Sequence, residues 1–215
     1  MQQPLPHPFI VIEGNIGAGK TTLCQMIAEE YNCRLILEHF ADNPFLPYFY
    51  ESPERYAFPV ELFFMTERHK QLQEELGQGS LFQQCVLADY FFLKTLLFAK
   101  NNLQKEEYQL FQRLFNLLNA SFPKPALLVY LHRPVNDLLQ NIKKRGRSYE
   151  QDISADYLRK IQHTYFDFFQ TKPALPIIIL DLEQTDFQTD KSNYKQILFH
   201  LSQKYTPGLH RIKIE

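Results

Sequence analysis

The chain has 215 residues, of which 45% are apolar and 14% aromatic. Its 23 lysines and arginines nearly balance 24 aspartates and glutamates, so neither a disordered chain nor a protein that binds nucleic acid through bulk positive charge is expected. Three cysteines, Cys24, Cys33 and Cys85, are too few for a disulfide scaffold and indicate a reducing compartment. The sequence has no apolar run long enough to span a membrane and no signal-peptide pattern, so we expect a cytoplasmic protein without membrane contact.

Short apolar runs alternate with longer helical patterns, which predicts an α/β fold built on a parallel sheet. Each run is short and uniformly apolar, as expected for a strand that helices cover on both faces. The predicted strands are Phe9–Glu13, Arg34–Glu38, Gln84–Leu87, Ala126–Leu131 and Ile177–Leu180. We therefore predict one domain over residues 1–215 with a five-stranded, doubly wound parallel sheet.

Helical patterns fill most of the sequence between these strands. They cover Lys20–Tyr31, Pro53–Leu76, Tyr90–Asn119 with a break near Lys100, Val135–Lys144, Ser154–Gln170 and Tyr194–Gln203. The second and third helices are rich in Phe, Leu and Tyr, which is typical of a core or a subunit interface. Pro44–Pro53 is predicted to be a loop, and Gly77–Ser80 a turn into the third strand.

The strongest motif is a glycine-rich loop from Gly14 to Thr21 that fits the phosphate-binding pattern G-x-x-x-x-G-K-[ST]. It follows a predicted strand directly and opens a helix, the context in which such a loop binds a nucleoside triphosphate. We expect Lys20 to reach the β- and γ-phosphates and the Thr21 hydroxyl to ligate Mg²⁺. The residues expected around the phosphates are Gly14, Asn15, Ile16, Gly17, Ala18, Gly19, Lys20, Thr21 and Thr22.

A basic segment, Lys143-Lys144-Arg145-Gly146-Arg147, favours a small-molecule kinase over a GTPase or a motor ATPase. Arginines on a loop over the triphosphate neutralise charge in the transferring phosphoryl group, and closure of the loop excludes water. We predict a lid over about residues 145–153, with Arg145 in a catalytic role and Arg147 on the phosphates. The same segment would also suit a solvated helix end, where the helix dipole favours cations.

Two acids stand at the carboxyl ends of predicted strands, where open parallel sheets bind their ligands. Glu38 follows Arg34-Leu-Ile-Leu, and Asp89 follows Cys85-Val-Leu-Ala. A carboxylate at such a position takes the proton of an attacking hydroxyl, and a second one supports a metal ion. We predict Glu38 as the general base and Asp89 as the metal support.

These motifs belong to a longer pattern that covers residues 9–170. In chain order it comprises the loop 14–22, Glu38, Tyr50-Glu-Ser-Pro-Glu-Arg-Tyr56, the helix Glu61–Lys70 with Arg68, Arg145-Gly-Arg147-Ser-Tyr-Glu150, and Tyr157-Leu158. The pattern resembles the deoxynucleoside kinase family, and in particular its bacterial deoxyadenosine/deoxyguanosine kinase branch. The resemblance implies a P-loop kinase of nucleotide salvage, a homodimer that uses ATP and Mg²⁺ to phosphorylate the 5′-hydroxyl of a small-molecule deoxynucleoside.

The resemblance also implies roles for residues that match the family's motifs. Glu38 would activate the 5′-hydroxyl, with Arg68 near the acceptor oxygen. Tyr50 and Glu150 would hydrogen-bond the 3′-hydroxyl, which leaves little room for a 2′-hydroxyl and favours deoxyribose. Phe98 would stack on the base, and the two lid arginines would close on the phosphates.

The chain departs from the family's pattern at two places. Many members carry an acid-Arg-Ser triplet where this chain has Ala88-Asp89-Tyr90, so Asp89 keeps the position of the acid without the arginine beside it. The family typically offers a glutamine amide to the base where this chain has Glu61, and Lys94 stands where cytidine-type members have an acid.

Glu61 and Lys94 bear on which base is accepted, because a carboxylate only accepts hydrogen bonds and an ammonium only donates them. The N1–H and N2 amine of guanine suit Glu61, and its O6 and N7 acceptors suit Lys94 or Arg68. We therefore expect purine deoxynucleosides as substrates, with deoxyguanosine ahead of deoxyadenosine. In the alternative interpretation, Glu61 and Lys94 pair with each other and never meet the base.

Two other functions remain open for the same fold. A nucleoside monophosphate kinase, such as a thymidylate kinase, would turn cations toward an acceptor phosphate and would not need Glu38. A non-catalytic accessory subunit would have no use for an intact phosphate loop, Glu38 and the lid arginines.

Overall fold

A computed structural model describes residues 4–38, 43–77, 85–171 and 174–215. Within these ranges six strands form a parallel sheet in the order β2-β3-β1-β4-β5-β6. The strands are β1 Phe9–Gly14, β2 Arg34–Ile36, β3 Val86–Ala88, β4 Leu127–His132, β5 Pro176–Asp181 and β6 Gly208–Lys213. The predicted α/β fold is confirmed, with one strand more than the five expected.

Helices lie on both faces of the sheet. They are α1 Lys20–Tyr31, α2 Leu46–Glu51, α3 Pro53–Gly77, α4 Leu93–Asn102, α5 Lys105–Asn119, α6 Val135–Arg145, α7 Ala155–Gln170 and α8 Lys191–Leu201. The predicted helix Tyr90–Asn119 is two helices, and the segment Pro44–Pro53, predicted to be a loop, contains α2. The last helix begins three residues before the predicted Tyr194.

The strands are apolar throughout because alternate side chains enter two cores. Ile10 and Ile12 of β1 pack with buried residues of α1, α6 and α8. Val11, between them, packs with Met65 of α3 and Phe111 of α5 on the opposite face. The helices α3, α4 and α5, rich in Phe, Leu and Tyr, thus cover one side of the sheet, which fits the first of the two interpretations, core or subunit interface, drawn from their composition.

The order of the strands creates a crevice next to β1. The chain after β1 leads to β2 on one side of the sheet, whereas the chain after the neighbouring β3 leads to β4 on the other side. Open α/β sheets bind ligands at such a reversal. The phosphate loop follows β1, Glu38 lies two residues beyond β2, and Asp89 follows β3 directly. Sheet topology therefore brings the predicted loop and both predicted acids to one crevice.

A short segment between α6 and α7 covers this crevice. Helix α6 ends at Arg145 because Gly146 has a φ of 74°, a left-handed conformation that favours glycine. A 3₁₀ helix, Ser148–Glu150, follows, and the Ser154 hydroxyl accepts a hydrogen bond from Tyr157 N as the cap of α7. The segment predicted as a lid is thus an ordered turn between two helix ends.

The composition did not predict a disulfide that the structure contains. The cysteine count indicated a reducing compartment, but the structure joins Cys33 and Cys85 in a disulfide, with 4.7 Å between their Cα atoms. The pairing arises because the two residues directly precede the adjacent strands β2 and β3. Part of the predicted strand Gln84–Leu87 and of the predicted turn Gly77–Ser80 lies outside the described residues. In the part that is described, no helix is long and apolar enough to cross a membrane.

Candidate active site

The phosphate loop depends on glycine where neighbouring backbone comes close. Gly17 has a φ of 80°, and a Cβ atom there would lie 2.7 Å from the carbonyl oxygen of Leu138 on α6. Gly14 has a φ of 153°, and its Cβ atom would lie 2.9 Å from the carbonyl oxygen of Leu131. Because neither contact is compatible with a side chain, the loop keeps the tight curve that turns backbone N–H groups toward an anion.

Three side chains fix the loop, one of its own and two from other parts of the chain. Asn15 is 1% exposed; its amide donates to Leu158 O at 2.8 Å, and its side-chain oxygen accepts from Ile16 N. Asn141 of α6 donates to Gly17 O at 2.8 Å, and Arg133, directly after β4, donates to Ala18 O at 3.2 Å. The Asn15 side chain therefore shapes the loop rather than facing a ligand.

Lys20 and Thr21 lie at the start of α1, where backbone N–H groups and the helix dipole favour anions. Lys20 Nζ lies 2.9 Å from Asn15 O, and burial lowers the pKa of Lys20 to about 8, with the charge of Lys94 acting in the same direction. The Thr21 hydroxyl donates to Asp89 Oδ2 at 2.5 Å, and the other Asp89 oxygen accepts from Glu38 N at 2.7 Å. Asp89 thus links the phosphate loop to the predicted base.

Two cations hold the Glu38 carboxylate. Arg68 donates from Nε and Nη2 to Oε1 at 2.9 and 2.5 Å, and Lys94 Nζ donates to Oε2 at 2.5 Å. Burial alone would raise the pKa of Glu38, but the charges and hydrogen bonds of Lys94 and Arg68 hold it below its usual range. Glu38 is therefore a carboxylate at neutral pH, and Lys94 does not form the ion pair with Glu61 considered from the sequence.

Glu61 has a different environment from Glu38. It is 1% exposed, and its Oε1 accepts a hydrogen bond from Asn102 Nδ2 at 2.6 Å. The other oxygen, Oε2, is buried without a hydrogen-bond partner among the described residues. Burial raises the pKa of Glu61 to about 7, although the Asn102 hydrogen bond and the charges of Arg68 and Lys94 act against this rise.

The lid residues contact one another above the cleft. Glu150, 5% exposed, pairs with Arg145 and, at 3.3 Å, with Arg147. Tyr149 stacks on Tyr50 of α2, with 6.4 Å between the ring centroids. The lid therefore lies against α2, which is the segment that had been predicted to be a loop.

Two clefts meet at the phosphate loop. The first is lined by every residue predicted on the acceptor side except Asp89, namely Glu38, Tyr50, Glu61, Arg68, Lys94, Phe98 and Glu150. The second is lined by residues 17–22 of the loop, by α6 and by residues 184–188. Lys20, Arg145 and Arg147 line both clefts, so a phosphoryl group carried from one to the other would pass these three cations.

Sequence reasoning missed several residues of the two clefts. Asn102 and Tyr157 line the acceptor side, while Arg133 and Phe187 line the donor side, with Arg133 Cζ 5.6 Å from the Phe187 ring. A signal for Asn102 was available, because Lys94, Phe98 and Asn102 follow at four-residue intervals on one helix face. Arg133 stands at a strand end, the same position that identified Glu38 and Asp89.

A triphosphate-binding loop that opens through three cations onto a cleft with a carboxylate defines a P-loop phosphotransferase. A family model described as deoxynucleoside kinase matches residues 10–205. The chain belongs to the deoxynucleoside kinase family and is an ATP-dependent kinase of small-molecule deoxynucleosides. The family match favours this function over the monophosphate kinase and the accessory subunit that the sequence left open.

Individual relatives and structures agree with this assignment. The chain is 34% identical over 200 residues to deoxyguanosine kinase of Bacillus subtilis, covering 91% of this chain and 97% of the relative. It is 29% identical over 207 residues to deoxyadenosine kinase of Lactobacillus acidophilus, covering 91% and 95%. A solved structure of deoxyadenosine kinase from M. mycoides with bound dATP has the same fold, with a TM-score of 0.77, 23% identity and coverage of 91% and 100%.

Proposed function

We propose that this kinase phosphorylates the 5′-hydroxyl of purine deoxynucleosides, with deoxyguanosine preferred to deoxyadenosine. The observation that carries the proposal is the buried Oε2 of Glu61, an oxygen without a hydrogen-bond partner among the described residues, on a side chain that lines the acceptor cleft. Guanine supplies two adjacent donors, N1–H and the N2 amine, to such an acceptor. Thymine would place a carbonyl oxygen against it, at a cost of ~1–3 kcal/mol for the unpaired contact.

On the donor side, we propose that residues 14–22 hold the triphosphate of ATP. Backbone N–H groups of the loop and the Lys20 ammonium bind its oxygens, and Arg145 and Arg147 leave Glu150 to close on the γ-phosphate. A hydroxyl and a carboxylate, from Thr21 and Asp89, suit Mg²⁺, which prefers oxygen ligands and takes further ones from phosphates. Bound Mg²⁺ would neutralise phosphate charge, and Thr21 and Asp89 would orient it.

On the acceptor side, we propose that Glu38 accepts the proton of the 5′-hydroxyl as the oxygen attacks. A weak base suffices, because phosphoryl transfer depends mainly on positioning and charge stabilisation. Arg68 orients the carboxylate and lies beside the acceptor oxygen, while Lys94 is free to turn from Glu38 to O6 and N7 of guanine. Phe98, whose ring centroid lies 5.5 Å from Lys94 Nζ, stacks on the base.

The proposal also covers recognition of the sugar, the cellular location of the enzyme and its oligomeric state. Tyr50 and Glu150 hydrogen-bond the 3′-hydroxyl and exclude ribose, and the lid over about residues 145–153 belongs to a single kinase domain. The enzyme acts in cytoplasmic nucleotide salvage without nucleic-acid or membrane partners. A homodimer is supported by the outer face of α5, where Leu110 and Leu117 are 45% and 77% exposed.

The test is a coupled ADP-release assay with ATP and Mg²⁺ against the four deoxynucleosides and their monophosphates. We expect the highest kcat/KM for deoxyguanosine, followed by deoxyadenosine. Higher kcat/KM for thymidine or deoxycytidine would refute the purine assignment, and turnover only of a monophosphate would refute the acceptor site. Lys20→Ala is the inactive control, since loss of the ammonium removes a phosphate contact while alanine is favourable at a helix position.

A further inference from the structure

The Glu61 side chain is held from one side only. Asn102 Nδ2 lies 2.6 Å from Glu61 Oε1 and 3.2 Å from the Tyr157 hydroxyl, so one amide group links α3, α4 and α7. The other carboxyl oxygen has no partner among the described residues and belongs to a residue that lines the acceptor cleft. Glu61 thus lines the acceptor cleft with hydrogen-bonding capacity that no described residue uses, and a bound base that reaches the carboxyl group would satisfy it.

The charged groups around Glu61 are largely committed elsewhere. Arg68 on α3 and Lys94 on α4 both pair with Glu38 beyond β2, and the Tyr157 hydroxyl on α7 stays neutral because burial raises the pKa of Tyr157 well above its usual range. On the lid, Arg145 and Arg147 both pair with Glu150. Tyr50 of α2 stays neutral because burial raises its pKa.

Glu61 consequently holds its proton to an unusually high pH for a carboxyl group. Burial raises the pKa of Glu61 to about 7, so ionised and protonated forms coexist near neutral pH. The two forms present different hydrogen-bonding patterns to the same cleft. The ionised form offers two acceptors, whereas the protonated form offers one donor and one acceptor.

These patterns match different purines. Guanine presents two donors, N1–H and the N2 amine, which fit the ionised carboxylate. Adenine presents an acceptor, N1, beside a donor, the N6 amine, which fit the hydroxyl and the carbonyl oxygen of a protonated carboxyl group. Each mismatch leaves a buried polar group unpaired, at a cost of ~1–3 kcal/mol.

We propose that Glu61, positioned by Asn102, selects between guanine and adenine through its protonation state, so that the enzyme's purine preference changes with pH. The inference rests on the proposed acceptor site and adds to it a proton-dependent choice of base. Asn102 is a positioning residue: it occupies one acceptor position of Oε1 and leaves the other, together with Oε2, to the base. Its hydrogen bond also lowers the pKa of Glu61.

The test compares kcat/KM for deoxyguanosine and deoxyadenosine from about pH 6 to about pH 8.5. Ionisations of Glu38, Lys20 and ATP affect both substrates and cancel in the ratio of the two values. We expect the ratio of kcat/KM for deoxyguanosine to kcat/KM for deoxyadenosine to rise with pH. The rise is at most about tenfold per pH unit, because one proton separates the two forms of Glu61. A ratio that does not change with pH, in an enzyme that turns over purines well, would overturn this inference and leave the proposed function standing.

Variants of Glu61 and Asn102 test whether these two residues cause the pH dependence of the purine preference. Glu61→Gln carries a fixed donor and acceptor, so we expect a ratio that favours deoxyadenosine and no longer depends on pH. Asn102→Leu should move the ratio-against-pH curve to higher pH, because the carboxyl group loses a hydrogen bond that favours ionisation. A purely structural role for Asn102 would instead lower kcat/KM for both substrates equally and leave the curve in place.

The matched control for Asn102 is its neighbour on α4. Asn101→Ala removes an amide that bonds to Leu97 O and Thr164 Oγ1 outside the cleft, so we expect the wild-type ratio at every pH. If a Glu61 variant does not fold, the infrared carboxyl band of the wild-type protein provides a second measurement. A band that titrates near neutral pH and shifts with deoxyguanosine but not with thymidine supports the inference, and its absence overturns it.

Discussion

Glu38 lies in a pocket that favours its charge and limits its basicity. Arg68 and Lys94 donate three hydrogen bonds to it, and a carboxylate has about four acceptor positions. In the proposed reaction, the attacking 5′-hydroxyl thus meets a carboxylate that is already ionised and fixed in orientation. Phosphoryl transfer gains from such positioning even where the base is weak.

Replacement of this carboxylate gives a direct test of its role. Glu38→Gln keeps the shape of the side chain but removes the charge that accepts the proton, so we expect kcat to fall by roughly 10²–10⁴. KM for the nucleoside should change much less, because the contacts to the base and the 3′-hydroxyl remain. Steady-state kinetics with ATP and deoxyguanosine measure both parameters.

Glu74→Gln is the matched control, because Glu74 is an exposed residue of α3. It should have wild-type kinetics. If Glu38→Gln raises KM and leaves kcat unchanged, Glu38 binds substrate and another group accepts the proton.

The lid and α2 form one side of the acceptor cleft, and their contact is made by aromatic rings. Tyr50 of α2 stacks on Tyr149 of the lid, while Phe49 of α2 packs edge-on against Tyr157 of α7. Closure of the lid therefore changes the surroundings of the Tyr50 hydroxyl. This coupling ties recognition of the sugar to the position of the arginines above the phosphates.

Tyr50→Phe tests recognition of the 3′-hydroxyl. Loss of one neutral hydrogen bond, worth about 0.5–1.5 kcal/mol, should lower kcat/KM for a deoxynucleoside up to about tenfold. A 2′,3′-dideoxynucleoside lacks the partner, so the same variant should affect its kcat/KM little. Tyr48→Phe, on the same helix but 53% exposed, serves as the control. Equal losses for both substrates would contradict the assignment.

Local signals predicted most of the elements, and the failures have physical reasons. The segment with α2 contains Pro47, which breaks most helices but is tolerated in the first turn, where its missing N–H has no partner. Strand β6 has alternating exposure and carries Leu209, Arg211 and Lys213 at its outer positions. Such a strand at the end of a sheet lacks the continuous apolar run that identified the other five.

The architecture of the site arises at the scale of the whole molecule. The loop, Glu38 and the lid arginines could be predicted because short motifs carry them. Asn102 and Arg133 could not be assigned from motifs, since their partners, Glu61 and Ala18, are 41 and 115 residues away. Lys94 pairs with Glu38 and not, as in the alternative interpretation of the sequence, with Glu61. The reason is the same: the two residues are 56 apart, and only the tertiary structure brings them together.

The Cys33–Cys85 disulfide joins β2 and β3 at the ends opposite Glu38 and Asp89. It closes a loop of 52 residues, for which the chain-entropy model gives about 4 kcal/mol of stabilisation. We expect reduction to lower the free energy of unfolding by up to this amount, as measured by denaturant titration. Cys33→Ser should match the reduced wild-type protein, and buried Cys24 should remain unreactive. Equal stabilities with and without reductant would contradict the prediction.

The contact of Glu38 with two cations also affects the hydrolysis of ATP by water in the absence of a nucleoside. A carboxylate beside a bound triphosphate activates water as readily as a hydroxyl, and each such event consumes ATP without product. With the acceptor cleft empty, Arg68 and Lys94 leave Glu38 about one acceptor position for a water molecule. Lys94→Met should therefore raise ADP release in the absence of nucleoside severalfold, and unchanged release would show that Lys94 does not restrain it. Besides its proposed contact with the purine, Lys94 would then have a second task, which is to limit hydrolysis of ATP in the absence of a nucleoside.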